Sequence, residues 1–432
     1  MPRGGPHRAG RIAKLNEIQT ERALLVGVSR GSRGRSRTEI SVSELGQLAA
    51  SAGAEVVGAV IQERERLDPA TLIGRGKVGE VARQSEAKRA DLLVFDDDLS
   101  PVQQRNIESE VGRKTVDRTQ LILDIFARRA RTREGRLQVE LAQLDYLLPR
   151  LGGKGVMLSR LGGGIGTRGP GETKLETDRR RIRHRIQVVR REIDRVRRSR
   201  HTRRDARLRA DAPVVALVGY TNAGKSTLFN ALTRGGADVS EQLFMTLDPM
   251  VRRARLGPGR GILLVDTVGF IQKLPHALVA AFRATLEEVS QADLVLHVMD
   301  ASADDLPERE AAVLDVLREI GAAERPTIDV LNKADQLPAG RSDALRAVRP
   351  ESVLVSARSG VGLDALRQAV AARLALVPRA VRLRFRTDET RAIAAVYGAG
   401  RVVSHAVDGD DVTIDVEIPE RFLPRYRERL VG

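Results

Sequence analysis

Residues 214–232, VVALVGYTNAGKSTLFNAL, leave few folds open. A run of apolar residues suited to a buried strand passes through a glycine turn straight into a helical pattern, and the turn reads Gly219-x-x-x-x-Gly224-Lys225-Ser226. Glycines at this spacing let several backbone N–H groups converge on one anion at a helix N-terminus, where the helix dipole also favours negative charge. Lys225 is expected to reach the β- and γ-phosphates of a nucleotide and Ser226 to ligate magnesium. The phosphate contacts expected from this turn are Gly219, Tyr220, Thr221, Asn222, Ala223, Gly224, Lys225, Ser226 and Thr227. Such a turn requires a largely parallel sheet with crossover helices on its faces.

Three segments further on refine the ligand. GILLVDTVGF is an apolar run ending in Asp266-x-x-Gly269. Asp266 can hold magnesium through water, and the Gly269 N–H can meet a γ-phosphate. TIDVLNKAD ends another run in Asn332-Lys333-x-Asp335, where a carboxylate can accept both hydrogens from the N1 and N2 edge of guanine, an edge that adenine lacks. VLVSARSG puts Ser356 and Ala357 where a backbone N–H can meet the guanine oxygen. Any one of these is a common turn, but four in this order, each at a strand end, describe a guanine nucleotide site. Between the first two lies LFMTLDP, whose Thr246 is the candidate for sensing magnesium and the γ-phosphate through its hydroxyl and carbonyl. With Lys225 and Gly269 it forms the expected catalytic group, and with Ser226 and Asp266 the expected magnesium group. Phe270 stands where many GTPases carry a glutamine that orients the attacking water, so slow intrinsic hydrolysis is expected. Asn222 stands where some GTPases with a hydrophobic residue in place of that glutamine use asparagine to help hold potassium, which makes K⁺ a candidate cofactor.

The chain before this region has two characters. Residues 22–28, 55–62 and 91–96 are predicted strands, and residues 41–53 and 76–90 predicted helices, an alternation that implies a small parallel α/β sheet. Gly74 and Gly76 between them could form an anion-binding turn, although a purely structural turn is the stronger reading. Then Leu137, Leu141, Leu144, Leu148 and Leu151 recur at steps of 4, 3, 4 and 3. Ile182, Ile186, Val189, Ile193 and Val196 repeat the pattern after a stretch in which nine of the twenty residues 152–171 are glycine. Two heptad stripes joined by so short a loop predict an antiparallel helical hairpin with a glycine tip. Pro149 marks the end of the first arm, and Thr173-x-x-Glu176, with Pro170 and Gly171 just outside, suggests a capping box opening the second. Gly164-x-Gly166-x-x-Gly169 has dinucleotide-fingerprint spacing but no preceding strand, so that reading fails on context.

Charge points to a partner. The chain carries a formal +16, and residues 178–209 hold fifteen arginines against four acids. One-sided charge of this kind favours a polyanion, because cations that neutralise phosphates release condensed counterions. Arginine suits phosphate through its planar, two-pronged donor geometry. Aromatic residues make up only 3%, with no tryptophan, which argues against base stacking as the main contact and for a structured RNA or duplex backbone. Lys154, Arg160 and Arg168 at the tip, and Arg179, Arg180 and Arg181 on the second arm, are the candidate RNA contacts. The absence of cysteine excludes disulfides and thiolate sites and leaves a cytoplasmic setting as the expectation. The basic start MPRGGPHRAGRIAK lacks an apolar core, and no run of about 18 apolar residues occurs, so neither secretion nor a stable membrane association is expected.

DDDLSPVQQRNIE (96–108), DRTQLILDIFARRARTREGRLQVELAQLDYLLPRL (117–151), GIGTRGPGETKLETDRRRI (164–182) and LFMTLDP (243–249) closely resemble the signatures of the HflX family of ribosome-associated GTPases, over about residues 22–378. Met245 departs from that pattern, where a smaller residue is expected. The resemblance implies a GTP/GDP switch, with Mg²⁺, that binds the large ribosomal subunit and its rRNA and helps split stalled or idle ribosomes, with ATP as a second nucleotide for the N-terminal part. A large-subunit assembly GTPase and a GTP-regulated RNA chaperone are the alternatives. The expected fold class is α/β, a P-loop GTPase domain preceded by a small parallel α/β domain and an antiparallel helical hairpin and followed by a small α+β C-terminal domain. The expected divisions are a basic tail (1–21), the N-terminal α/β domain (22–115), the hairpin (116–210) with its tip (152–171), the GTPase domain (211–378) and the C-terminal domain (379–432), in a monomer.

Overall fold

A computed structural model describes residues 20–31, 34–153, 170–208, 212–233, 243–244, 246–257, 260–273 and 286–431. The chain forms two compact units, Met1–Leu121 and Ile122–Gly432.

In the first unit β1 (Arg22–Ser29), β2 (Glu55–Glu63), β3 (Leu92–Phe95) and β4 (Lys114–Asp117) form a parallel sheet in the order β2-β1-β3-β4. Helices α1 (Arg35–Ser51), α2 (Arg75–Ala87) and α3 (Pro101–Val111) make the crossovers. β1 is buried over seven of its eight residues, as a central parallel strand covered on both faces must be. Helix α3 begins with a full capping box, Ser100 and Gln103 exchanging hydrogen bonds ahead of Pro101. At the turn before α2 the Gly74 N–H donates to Gln62 Oε1, and an added Cβ would meet Arg64 Nη1 at 2.7 Å.

The second unit opens with helices α4 (Arg118–Arg129), of which the last eight residues belong to it, and α5 (Arg133–Leu147), followed by a 3-10 turn (Leu148–Gly153) that contains Pro149. The second arm is α6 (Pro170–Leu208), 39 residues long. Leu137, Val189 and Ile193 are buried in the seam between α5 and α6, with Leu141, Leu144 and Val196 packed against them. The heptad stripes therefore meet as expected. Helix α6 starts at Pro170, so Thr173 lies within the helix instead of capping it; proline is well tolerated at the first helical position, where its missing N–H is an orphan in any case.

The six-stranded sheet that follows has the order β10-β9-β8-β5-β7-β6. Its strands are β5 (Val214–Val218), β6 (Met250–Gly257), β7 (Arg260–Asp266), β8 (Leu294–Asp300), β9 (Thr327–Asn332) and β10 (Val353–Leu354). Only the edge pair β6–β7 is antiparallel. Among the described residues this part also holds helices α7 (Lys225–Thr233), α8 (Leu306–Glu319), α9 (Arg341–Val348) and α10 (Leu363–Arg373). Strand β8 is buried at all seven residues, and the C-terminal ends of β5, β7, β8 and β9 carry the candidate site, as ligand sites in open α/β sheets do.

The chain ends in an antiparallel sheet ordered β11-β13-β12, made of β11 (Pro378–Arg386), β12 (Arg401–Asp408) and β13 (Asp411–Pro419), with helix α11 (Thr390–Ala399). The last basic segment is a 3-10 helix from Glu420 to Arg429 with Pro424 inside it. Proline removes a donor and clashes one turn back, which disfavours a continuous α-helix through Pro424.

Candidate nucleotide and metal site

The turn after β5 has the geometry that a phosphate cradle needs. Gly219 has φ +152° and a Cβ there would meet the Val298 carbonyl oxygen at 2.1 Å; Gly224 has φ +91° and a Cβ would meet Asn332 Nδ2 at 2.2 Å. Both positions demand glycine on conformation and on space. Asn222 also takes a positive φ, 59°, and is exposed. Tyr220, Thr221 and Ala223 are buried, whereas Ser226 and Thr227 are half-buried in the first turn of α7.

Lys225 is buried, and its Nζ donates to the carbonyl oxygens of Gly219 (3.0 Å) and Tyr220 (2.9 Å). Burial pushes its ammonium down to about 8, with the charge on Asp266 pulling the other way. For Asp266 burial pushes the carboxyl up, opposed by Lys225 and by hydrogen bonds from Ser226 and Thr246. Ser226 Oγ donates to Asp266 Oδ2 at 2.8 Å, Thr246 Oγ1 donates to the same oxygen at 3.1 Å, and the two hydroxyls are 2.8 Å apart. Asp266 Oδ1 is buried without a hydrogen-bond partner among the described residues. A carboxylate and two hydroxyls meeting beside an unsatisfied carboxylate oxygen form an oxygen-only donor set suited to a hard divalent cation.

The segment after Asp266 is braced on the phosphate turn. Phe270 N–H donates to Gly219 O at 3.1 Å, Thr221 N–H donates to Phe270 O at 2.7 Å, and Gln272 N–H donates to the Tyr220 hydroxyl at 2.8 Å. Gly269 is pressed so close that a Cβ would meet Thr221 Cα at 2.8 Å and Lys225 Nζ at 3.0 Å. The Phe270 ring is wholly buried, so this residue acts through its backbone and its packing.

The base-recognition segments come together on the other side of the turn. Asn332 Nδ2 donates to Ala223 O at 2.9 Å, and its Oδ1 accepts from Ala357 N–H at 3.0 Å. The amide expected to meet a guanine oxygen is thus engaged by Asn332, and a base must share it or displace that contact. Asp335 Oδ1 accepts from Ser356 Oγ at 2.6 Å, and Ser356 Oγ in turn accepts from Ser359 N–H. Lys333 has φ 65° and its Nζ pairs with Asp300 Oδ2 at 2.7 Å. Asp300, at the end of LVLHVMD, belongs to no motif in the sequence, and neither do the hydroxyl contacts of Tyr220 and Thr221. A strand-end carboxylate was the available signal for Asp300; the hydroxyls gave none.

Of the candidate RNA contacts, Arg180 and Arg181 are exposed and Arg179 half-buried on α6, with Arg181 Nη1 3.7 Å from Asp178. Lys154, Arg160 and Arg168 lie outside the described residues, as does Met245. Part of the arginine excess is spent inside the hairpin: Arg185 forks onto both oxygens of Glu140 at 2.6 and 2.9 Å, and Arg190 approaches Asp145 at 3.7 Å.

Family models match three stretches of the chain: "GTP-binding GTPase N-terminal" over residues 39–127, "GTP-binding GTPase Middle Region" over 129–207 and "50S ribosome-binding GTPase" over 214–333. A GTPase HflX from Caldanaerobacter subterraneus subsp. tengcongensis is 45% identical over 95% of this chain and 94% of its own length. The chain belongs to the HflX family of GTPases. The Escherichia coli K12 HflX is 47% identical, covering 88% of this chain and 89% of its own. The crystal structure of a GTP-binding protein from Sulfolobus solfataricus in complex with GDP aligns with a TM-score of 0.43 at 24% identity, over 82% of this chain and 99% of that one. As an HflX-family GTPase the chain binds GTP and GDP and hydrolyses GTP.

Lys225 gives the site a pH signature. Nucleotide phosphates placed beside it would favour the charged form, so its pKa would rise on binding from about 8 in the free site. Binding then takes up a proton wherever the free site is partly neutral: about half a proton at pH 8 and about a tenth at pH 7. The lysine's contribution to affinity is complete below the free-site pKa of about 8, begins to fall above it, and is gone only once the pH passes the higher pKa of the nucleotide-bound state. Calorimetry of GDP binding at pH 8 in buffers of different ionisation enthalpy reads this uptake, and the absence of any buffer dependence would contradict it.

Proposed function

We propose that this HflX-family chain is a GTP-controlled switch that binds the large ribosomal subunit through rRNA and promotes the splitting of stalled or idle ribosomes. The observation that carries the reading is that one compact unit holds both the GTP site and a 39-residue arm with exposed arginines. The description of the GTPase family model as 50S ribosome-binding names the partner class. Residues 219–227 take the phosphates. Asp335 accepts hydrogen bonds from guanine, Asn332 ties the base segment to the phosphate turn, and the stems of Lys333 and of the Ser356–Ala357 turn line the base. Arg180 and Arg181, and the tip residues Lys154, Arg160 and Arg168, contact RNA phosphates.

Ser226, Thr246 and Asp266 would hold Mg²⁺, which when bound neutralises charge on the β- and γ-phosphates. In hydrolysis Lys225 leaves the Gly219 and Tyr220 carbonyls to meet the phosphate oxygens, the Gly269 N–H faces the γ-phosphate, and the Thr246 hydroxyl and carbonyl order the loop around it. Phe270 supplies no water-orienting group, so intrinsic turnover is slow and the ribosome accelerates it. A nucleotide switch works only if the partner binds its two states with different affinity. We further propose that the chain acts as a monomer in the cytoplasm; among the described residues no helix is long and apolar enough to cross a membrane.

Purified large subunits are expected to raise GTP turnover at least about tenfold, since partner-supplied groups in phosphoryl transfer contribute factors of this size or more. Light scattering should show subunit release from 70S particles with a non-hydrolysable GTP analogue and not with GDP. Stimulation without release would replace splitting by an assembly role, and neither effect would remove the ribosome from the account.

Asn222, exposed with a positive φ beside the phosphate turn, supports a K⁺ requirement. Turnover is expected to be faster in KCl than in NaCl at equal ionic strength, and to lose this difference in Asn222→Ala. Equal rates of the unaltered protein in the two salts would dispose of the potassium assignment.

A further inference from the structure

Thr246 is held from two sides. On the nucleotide side its hydroxyl joins Ser226 and Asp266, and two residues earlier Phe244 N–H donates to the Thr221 hydroxyl at 3.2 Å. On the other side the same short loop is fastened to the helical region. Asp248 Oδ2 accepts from the backbone N–H groups of Arg131 (2.9 Å) and Thr132 (2.8 Å), and Asp248 Oδ1 accepts from the Thr132 hydroxyl. Thr132 is the N-cap of α5, its hydroxyl oxygen accepting from Gly135 N–H at 3.0 Å. One carboxylate thus collects three donors at the start of the hairpin's first arm.

Two further features show that the contact is built. Gly135 lies inside the first turn of α5, where glycine weakens a helix, yet a Cβ there would meet Asp248 Oδ1 at 2.3 Å. Its lack of a side chain is what lets the carboxylate approach. Phe244, buried, stands edge-on to Phe126 of α4 with ring centroids 4.6 Å apart, and it takes a φ of 58°, which is unfavourable for a bulky residue. Surroundings that hold it there have to outweigh that strain.

We propose that Asp248, Thr132 and Gly135, with Phe126 against Phe244, are positioning residues for GTP hydrolysis: the first turn of α5 holds the Thr246 loop in its working geometry. The first arm of the hairpin, which packs along the basic arm α6, is then joined to the Thr246 loop through Asp248, and a displacement of α5 reaches Thr246 by that link. This rests on the reading of Thr246 as the residue that meets magnesium and the γ-phosphate. GDP, held by residues 219–227 and the base segments, draws little on the loop, so the effect falls on turnover and not on GDP affinity.

The test uses the full chain without ribosomes and measures kcat and KM for GTP together with GDP affinity. Gly135→Ala and Asp248→Ala should each lower kcat about tenfold, the scale of one lost cap-type contact expressed in the transition state, while GDP affinity stays within about twofold. Gly135→Ala is the sharper variant, because alanine is the better helix former and should leave α5 at least as stable by thermal melting. Thr132→Val should match Asp248→Ala, and Thr132→Ser, which keeps the hydroxyl, should recover most of the lost rate. Unchanged kcat in Gly135→Ala and Asp248→Ala, or a fall in kcat matched by an equal fall in GDP affinity, would overturn the proposal. Thr246→Ala separates the two levels of the argument. If it leaves hydrolysis intact, the role of Thr246 is wrong; if it abolishes hydrolysis and the α5 variants do not, the link alone is wrong.

Discussion

Lys225 is a cation buried at the end of an apolar sheet, held by two backbone carbonyls and facing a buried carboxylate across the site. Burying a charge this deeply is unfavourable unless something compensates it. The depressed ammonium and the raised Asp266 carboxyl are the two signs of that cost in the absence of ligand. On the proposed reading, phosphate beside the lysine and a divalent cation beside the carboxylate would relieve both at once. Much of the surrounding structure serves to keep this pair in place: glycines at 219, 224 and 269 where no side chain fits, and Phe270 braced by its backbone against the phosphate turn.

The same logic explains why the loop carrying Thr246 needs support. Its hydroxyl completes the oxygen cluster around Asp266, yet the described residues of the loop before Met250 form no strand or helix of their own. Order has to come from neighbours, and the neighbours are the phosphate turn through Thr221 and the helical arm through Phe126 and Thr132. A loop fixed at both ends responds to either end. That is the property a nucleotide switch coupled to a long basic arm requires.

Sequence alone made the fold around the site legible because its signals are local. The apolar strands end at the functional turns, and the glycine spacing announces the phosphate cradle. The 4, 3, 4, 3 leucine and isoleucine stripes also predict the seam in which Leu137, Val189 and Ile193 are buried. Other features had no such signal. Strand β4, KTVD, is four residues with a charge at each end and no apolar run, and the expected boundary near residue 115 falls inside it. The Thr173–Glu176 spacing matched a cap, but Pro170 starts the helix earlier. Asp248 and Thr132 are 116 residues apart, and neither looks unusual in its own neighbourhood, so only the folded chain reveals that one caps the helix through the other. The arginine excess was visible as charge, whereas its division between pairs inside the hairpin, such as Arg185 with Glu140, and exposed residues such as Arg180 depends on the packing of the arms.

The central claim is that the nucleotide state decides whether the arm engages the large subunit. Co-sedimentation of the full chain with purified large subunits, in a non-hydrolysable GTP analogue and in GDP across a range of salt, tests it most directly. The account predicts strong binding with the analogue, at least about tenfold weaker binding with GDP, and a steep loss of binding as salt rises, because arginine–phosphate contacts release counterions. Equal binding in the two nucleotide states, or binding that salt does not weaken, would contradict it.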